Sequence, residues 1–348
     1  MDALLSPRRR HLLAAMGAAA LGAACGVRSP SVSQGLRFGG QSMGTSYSVR
    51  IAGTSLDAGL EKAASEAVEA ALRGVVSRMS TYDAASEVGR FNRHASTAPF
   101  AMSAQTLAVV ARAQEVARLS GGAFDATVAP LVGAWGFGAG ASARGGQPGA
   151  EALAVPVGWQ GLALDVAAGA LRKQDPALQL DLSGIAKGYA VDLAAQALES
   201  LGVERYMVEA GGEVRTRGLN DEGRAWQIAV ERPDAWPQQV HRVVPLNGLA
   251  MATSGDYRQF YEQDGRRISH EIDPLGRAPI DGRVASVTVV HEECMFADAM
   301  ATALIVMGQE RGIALASLQN VAALFIVREP GGALRDVATP AFEALVRA

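Results

Sequence analysis

Few of the features that identify a protein at a glance are present in this chain. It has 2 cysteines in 348 residues, Cys25 and Cys294, which excludes a disulfide framework and any cysteine–histidine zinc cluster. Aromatic residues make up only 5%, so stability must come from aliphatic and alanine packing. A formal net charge of −3 argues against nucleic acid as an electrostatic partner. The one apolar run near the start, Leu12 to Ala24, falls short of the roughly 20 residues a membrane-spanning helix needs. There is no internal repeat, no long low-complexity tract, and neither a Walker nor a Rossmann glycine fingerprint.

What remains is a globular composition, 49% hydrophobic with 39 glycines, enough for one large domain or two ordinary ones. The opening MDALLSPRRRHLLAAMGAAALGAACG joins Arg8–Arg10 to that short apolar run, the layout of an export signal. Its Ser-Pro-Arg-Arg-Arg resembles a twin-arginine signal. Gly22-Ala23-Ala24 before Cys25 resembles a lipoprotein cleavage site, although glycine stands where leucine is usual. Residues 1–25 are therefore expected to direct export to the periplasm, with a lipid anchor on Cys25 or cleavage elsewhere, and 26–34 to be a linker.

Beyond it, LRFGGQSMGTSYSVRIAG reads as strand, turn, strand. Leu60, Ala64, Val68, Leu72, Val75 and Met79 recur at helical spacing and predict an amphipathic helix from Leu56 to about Met79. MSTYDAASEVGRFNR reads as a turn-forming segment. Ser103 predicts the cap of a helix running to Leu119, stopped by Gly121-Gly122. Gly133–Ala150 reads as a mobile glycine-rich loop. LQLDLSG predicts a short strand before a helix from Ile185 to Leu201, followed by further strands and then the apolar stretch CMFADAMATALIVMG. Strands and helices do not alternate steadily, which favours α+β over a doubly wound sheet.

Four polar clusters stand out. Asp125 and Thr127 follow a double glycine, suited either to a tight turn or to close backbone approach to phosphate. Asp181, Ser183 and Gly184 lead into a helix whose first turn carries Lys187, an anion site or a capped structural helix. Thr253, Ser254 and Asp256 precede His270 and Asp273, where the histidine is structural or an acid–base group. Asp298 and Thr302, four apart, share one face of an otherwise apolar helix. A buried carboxylate needs a cation. The only basic residue near it in sequence is His291, so a hard divalent ion with oxygen ligands, such as magnesium, is the natural partner.

MGTSYSV (Met43–Val49), MSTYD, GGAFDATVAPLVGAWGFG, DLSGIAKGYAVD, VEAGGEVRTRG, TSGDY, SHEIDP and ADAMATAL resemble, in order, the motifs of the ApbE family of FAD:protein FMN transferases, or flavin transferases. The resemblance covers 35–348. It implies an α+β, T-fold-related architecture of antiparallel sheets packed with helices in two intimately packed subdomains. It implies Mg²⁺-dependent transfer of FMN from FAD to a threonine hydroxyl of a second protein, with release of AMP. The acceptor carries a Ser/Thr-Gly-Ala-Thr-like motif, as on a subunit of a membrane redox complex. Met43, Tyr82, Ala123, Phe124, Asp125, Ser183, Lys187, Tyr189, His270 and Glu271 match FAD-site positions, and Ala186, Asp298 and Thr302 match the metal site. His270 matches the catalytic base, with Asp273 expected to orient it. Glu271 departs from the family, which has an apolar residue there. The same pocket would serve hydrolysis of FAD to FMN and AMP, and a non-catalytic flavin-binding lipoprotein is the third reading.

Overall fold

The computed structural model describes residues 35–53, 58–139, 141 and 147–347. The expected export signal and linker lie outside them, as do Leu56 and the centre of the glycine-rich segment.

An eight-stranded sheet, antiparallel throughout, organises the chain. Its strands lie in the order Leu36–Ser42, Thr45–Ile51, Tyr206–Ala210, Glu213–Arg217, Ala250–Gly255, Val284–His291, Ala322–Arg328 and Leu334–Ala338. Successive side chains of a strand point to opposite faces, and here both faces are covered. Ala323, Phe325 and Val327 pack with the helices, while Leu324 and Ile326 meet Trp226, Ile228, Val244 and Leu246 of a separate hairpin, and Phe342 of the last helix. Burial on both sides explains why AALFIVR is apolar without alternation. The α+β expectation holds. All the described residues fall in one compact unit, so packing of the implied subdomains leaves no boundary between them.

The helix Ala58–Met79 buries Ala64, Val68, Leu72, Val75 and Met79, the predicted stripe. Ser103 caps Ala104–Leu119 by accepting from the Thr106 N–H. Three readings change. The segment after Met79 contains a helix, Glu87–Arg93, capped by Ser86 and anchored by buried Val88 and Phe91. LQLDLSG is not a strand, although Leu178, Leu180 and Leu182 are buried alternately as one would be. The Asn92 amide takes the place of a strand neighbour, accepting from Leu180 N–H at 2.7 Å and donating to its carbonyl at 2.9 Å. The glycine-rich segment begins as structure, not loop: Ala129–Ala134 is helical, and Trp135 and Phe137 are buried with Leu131 and Ile272.

Two helices set the position of the site. Ala186–Ser200 and Cys294–Leu318 cross face to face, and their contacts repeat every four residues in opposite directions. The Asp192 carboxylate accepts from Cys294 N–H at 3.1 Å and Met295 N–H at 2.9 Å, capping the second helix from the first. One turn away, Gly188 N–H donates to Asp298 Oδ2 at 2.9 Å. A further turn away, Gly184 lies against Thr302. Glycine is required at the centre of this crossing, since a Cβ on residue 188 would fall 2.4 Å from the Cys294 carbonyl oxygen and 2.8 Å from Asp298 Cβ. Gly188→Ala is therefore expected to lower stability by about 2 kcal/mol or more through overpacking. Urea unfolding checks this; an unchanged midpoint would show that the helices can part without cost. The second helix is broken at Gly308, where φ is 76° and ψ 178°, so its apolar first part ends where CMFADAMATALIVMG does.

Candidate functional site

A cleft of about 1070 Å³ opens between the hairpin tip at Met43, the Tyr82 segment, the Ala123–Asp125 loop, the start of the Lys187 helix and the His270 segment. Met43, Tyr82, Ala123, Phe124, Asp125, Ser183, Ala186, Lys187, His270, Glu271, Asp298 and Thr302 all line it. Tyr189 and Asp273 do not. Tyr189 packs against the main core instead, and Asp273 Oδ1 accepts from Leu275 N–H at 2.9 Å, closing its own turn. Among the described contacts no bond joins Asp273 to His270, so the expected orienting role is not seen.

Met43 and Gly44 form a two-residue hairpin tip with φ of 52° and 75°. A type I′ turn needs both angles positive, and methionine takes that conformation at a cost of about 1 kcal/mol or more. Tyr82 presents its ring at 74% exposure, a free aromatic face at the cleft. Phe124 lies buried beneath. Asp125 resolves as the turn-forming alternative. Its Oδ1 accepts from the Thr127 N–H and hydroxyl, its Oδ2 from Trp159 N–H, and the Thr127 hydroxyl accepts from Gly158 N–H. The carboxylate thus fixes the loop, and burial raises its pKa.

The Lys187 helix has no side-chain cap, and Ser183 N–H is held by Asp181 Oδ1 at 2.8 Å. With Gly188 N–H turned to Asp298, the Lys187 end of the first turn is what faces the cleft as an anion site. The cation that Asp298 needs is Lys187 itself, 3.9 Å away, and not His291. His291 stacks on Phe296 at 4.3 Å and accepts from Glu293 N–H. Lys187 is shared with Glu213, 2.5 Å away, a residue the sequence did not single out. Glu213 is 1% exposed, and its Oε2 has no hydrogen-bond partner. Burial, partly offset by Lys187 and reinforced by Asp298, pushes its carboxyl up to about 7. Burial would lower the Lys187 amine, but Asp298 and then Glu213 outweigh it and hold the amine above its ordinary range.

With both carboxylates ionised, the state a bound cation would favour, two of them facing one ammonium leave the floor of the cleft one positive charge short. The Thr302 hydroxyl lies 3.0 Å from Ser254 Oγ, and Ala186 lines the same floor. This is an all-oxygen donor set of hard character with an orphaned carboxylate oxygen beside it, which fits Mg²⁺ and not a soft metal. Among the described residues, no group of three or more His, Cys, Asp and Glu side chains forms a metal cluster, so beyond the Asp298 carboxylate an ion here would depend on hydroxyl, carbonyl and ligand oxygens.

His270 also lines the cleft. Its Nδ1 lies 3.2 Å from the Gln259 carbonyl, and its Nε2 is 3.7 Å from Glu271 Oε1. Glu271 is only 8% exposed, so it does not turn to solvent.

Fold and cleft together define an α+β protein with one large cleft, walled by an aromatic and glycine-rich loops and floored by acidic, hydroxyl and lysine groups. The family follows from comparison. The ApbE family model matches residues 43–325. The FAD:protein FMN transferase of Vibrio cholerae is 42% identical over 336 residues, covering 96% of this chain and 98% of the relative. That of Haemophilus influenzae is 39% identical, covering 85% and 88%. Among solved structures, the flavin transferase ApbE from Vibrio cholerae superposes with a TM-score of 0.81 at 41% identity, covering 89% of this chain and 98% of that one. The apo flavinyl transferase ApbE of Pseudomonas stutzeri gives 0.81 at 38%, covering 90% and 97%. The chain belongs to the ApbE family.

Proposed function

We propose that this protein is an FAD:protein FMN transferase, moving FMN from FAD to a threonine hydroxyl of another protein in an Mg²⁺-dependent reaction that releases AMP. One observation carries the reading: a single cleft brings nine of the eleven residues named for FAD and the catalytic step together over the Asp298–Thr302 floor. Tyr82 and Phe124 would cover an aromatic ring system, and Lys187 would meet the pyrophosphate. Asp298, Thr302 and the Ala186 carbonyl would hold Mg²⁺, which when bound neutralises pyrophosphate charge and eases departure of AMP. The threonine hydroxyl is a weak nucleophile. With Nδ1 hydrogen-bonded to Gln259, His270 presents Nε2 as the proton acceptor. As the hydroxyl oxygen bonds to the FMN phosphorus, its proton passes to Nε2, the bond to the AMP oxygen breaks, and AMP leaves with that electron pair.

The signal-like start supports an exported acceptor, such as a subunit of a membrane redox complex bearing a Ser/Thr-Gly-Ala-Thr-like motif, and a periplasmic enzyme held through Cys25. Cell fractionation that finds the protein in the cytosol would refute this. The activity is tested by incubating mature protein with FAD, Mg²⁺ and an acceptor domain. Flavin fluorescence on the acceptor after denaturing electrophoresis, with AMP released, is the expected result. AMP without labelled acceptor would make the protein an FAD hydrolase; bound FAD with neither product would make it a flavin-binding protein.

A further inference from the structure

Glu271 is a buried carboxylate with no established task, next in sequence to the candidate base. In a regular strand, neighbouring side chains point to opposite faces. Here the chain bends at His270, between the strands Arg266–Ser269 and Ile272–Asp273, and both side chains line the cleft. Both backbones are pinned. His270 N–H donates to the Gln259 carbonyl, Glu271 N–H to Ser269 Oγ, and Ile280 N–H to the Glu271 carbonyl. The Gln259 carbonyl can only accept, so Nδ1 carries the ring's hydrogen and the lone pair of the neutral ring is on Nε2, the nitrogen that faces Glu271 at 3.7 Å. That spacing is an ion-pair distance and too long for a hydrogen bond. Among the described residues no hydrogen bond ties the Glu271 side chain elsewhere, and His270 is its close ion-pair partner.

We propose that Glu271 is a positioning residue for His270, whose carboxylate pairs with the ring once Nε2 has taken the hydroxyl's proton and balances the charge the ring then carries. The proposal rests on the transferase reading for its chemistry. The charged groups acting on Glu271 come from several elements: His270 beside it, Lys187 from the helix opposite, Asp256 and Asp298. Burial raises its carboxyl most, His270 and Lys187 pull it back, and the two aspartates raise it further. A carboxylate beside an imidazole favours the charged form of the ring over the neutral one.

Glu271→Gln keeps the shape and removes the charge. Its kcat is expected to fall about tenfold, with KM for FAD changed less than about twofold. The acid limb of its pH–rate profile should move to lower pH by half a unit or more. The His270 Hε1 resonance should titrate at correspondingly lower pH in the variant without any substrate. Glu271→Asp, one methylene shorter, should recover part of both shifts. An unchanged limb and resonance titration would overturn the proposal. So would weakened FAD binding with an unmoved limb, which would make Glu271 a contact to the dinucleotide. Failure of the unmutated protein to label any acceptor would sink the transferase reading, while the resonance titration still decides for or against the pair.

Discussion

Asp298→Asn is expected to reduce cation-dependent flavin transfer by about 1,000-fold or more while leaving the protein folded. Breaking a buried ion pair commonly costs about 3–5 kcal/mol, because a lone charge stays behind. That cost does not apply here. Lys187 remains paired with Glu213 at 2.5 Å, so the substitution leaves no buried ammonium without a carboxylate. Asparagine also keeps an oxygen to accept the Gly188 N–H, the contact that joins the two helices. Alanine would orphan that amide, which makes asparagine the more informative change. An ion held as proposed would lose its charged ligand among these residues, since Thr302 and Ala186 offer neutral oxygens. Thermal unfolding supplies the second readout. Added Mg²⁺ should raise the midpoint of the unmutated protein by mass action, and that rise should vanish in the variant. An Asp298→Asn protein that keeps both the Mg²⁺-dependent rise and its activity would place the ion elsewhere.

Much of this site was legible in the sequence, and what was not shares a physical cause. The Ala58–Met79 helix followed from spacing alone, and Ser103 from its place before an apolar run. Asp298 and Thr302 were conspicuous because an i, i+4 polar pair on an oily helix has a desolvation cost that something must offset. The divalent ion was inferred from that cost, but one partner stayed out of sight: His291 was the only basic residue nearby in sequence, whereas Lys187 arrives from another helix, through a crossing that Gly188 permits. Glu213 gave no local sign at all. It is the first residue of an ordinary-looking strand, and it is buried only because two distant helices close over it. The Leu178–Leu182 segment failed in the opposite way. Its alternation correctly reported one buried face, yet the partner that satisfies its backbone is a side-chain amide far back in the chain. Periodicity reports which face is buried; it carries no record of which group lies across.

The same distinction governs the base. His270→Ala is expected to lower transfer by about 10²–10⁴-fold, with FAD and Mg²⁺ binding altered less than about threefold. The side chain touches little that holds the fold: the Gln259 carbonyl, the neighbouring Glu271, and the edge of the Phe137 ring at 6.3 Å. None of these belongs to the Lys187–Glu213–Asp298 group, so the floor of the cleft should survive its removal. What is lost is the imidazole Nε2 that would accept the hydroxyl's proton. The variant leaves Glu271 buried without its partner, and burial then favours the protonated acid, a form that cannot accept the proton in its place. The loss should therefore be deepest at low pH, where that acid stays protonated, and any recovery as pH rises would show ionised Glu271 standing in as the base. Single-turnover transfer with FAD already bound separates the step from binding. An alanine variant that labels its acceptor at the original rate would remove His270 from the reaction. One that fails to bind FAD would make the ring a wall of the dinucleotide site and nothing more.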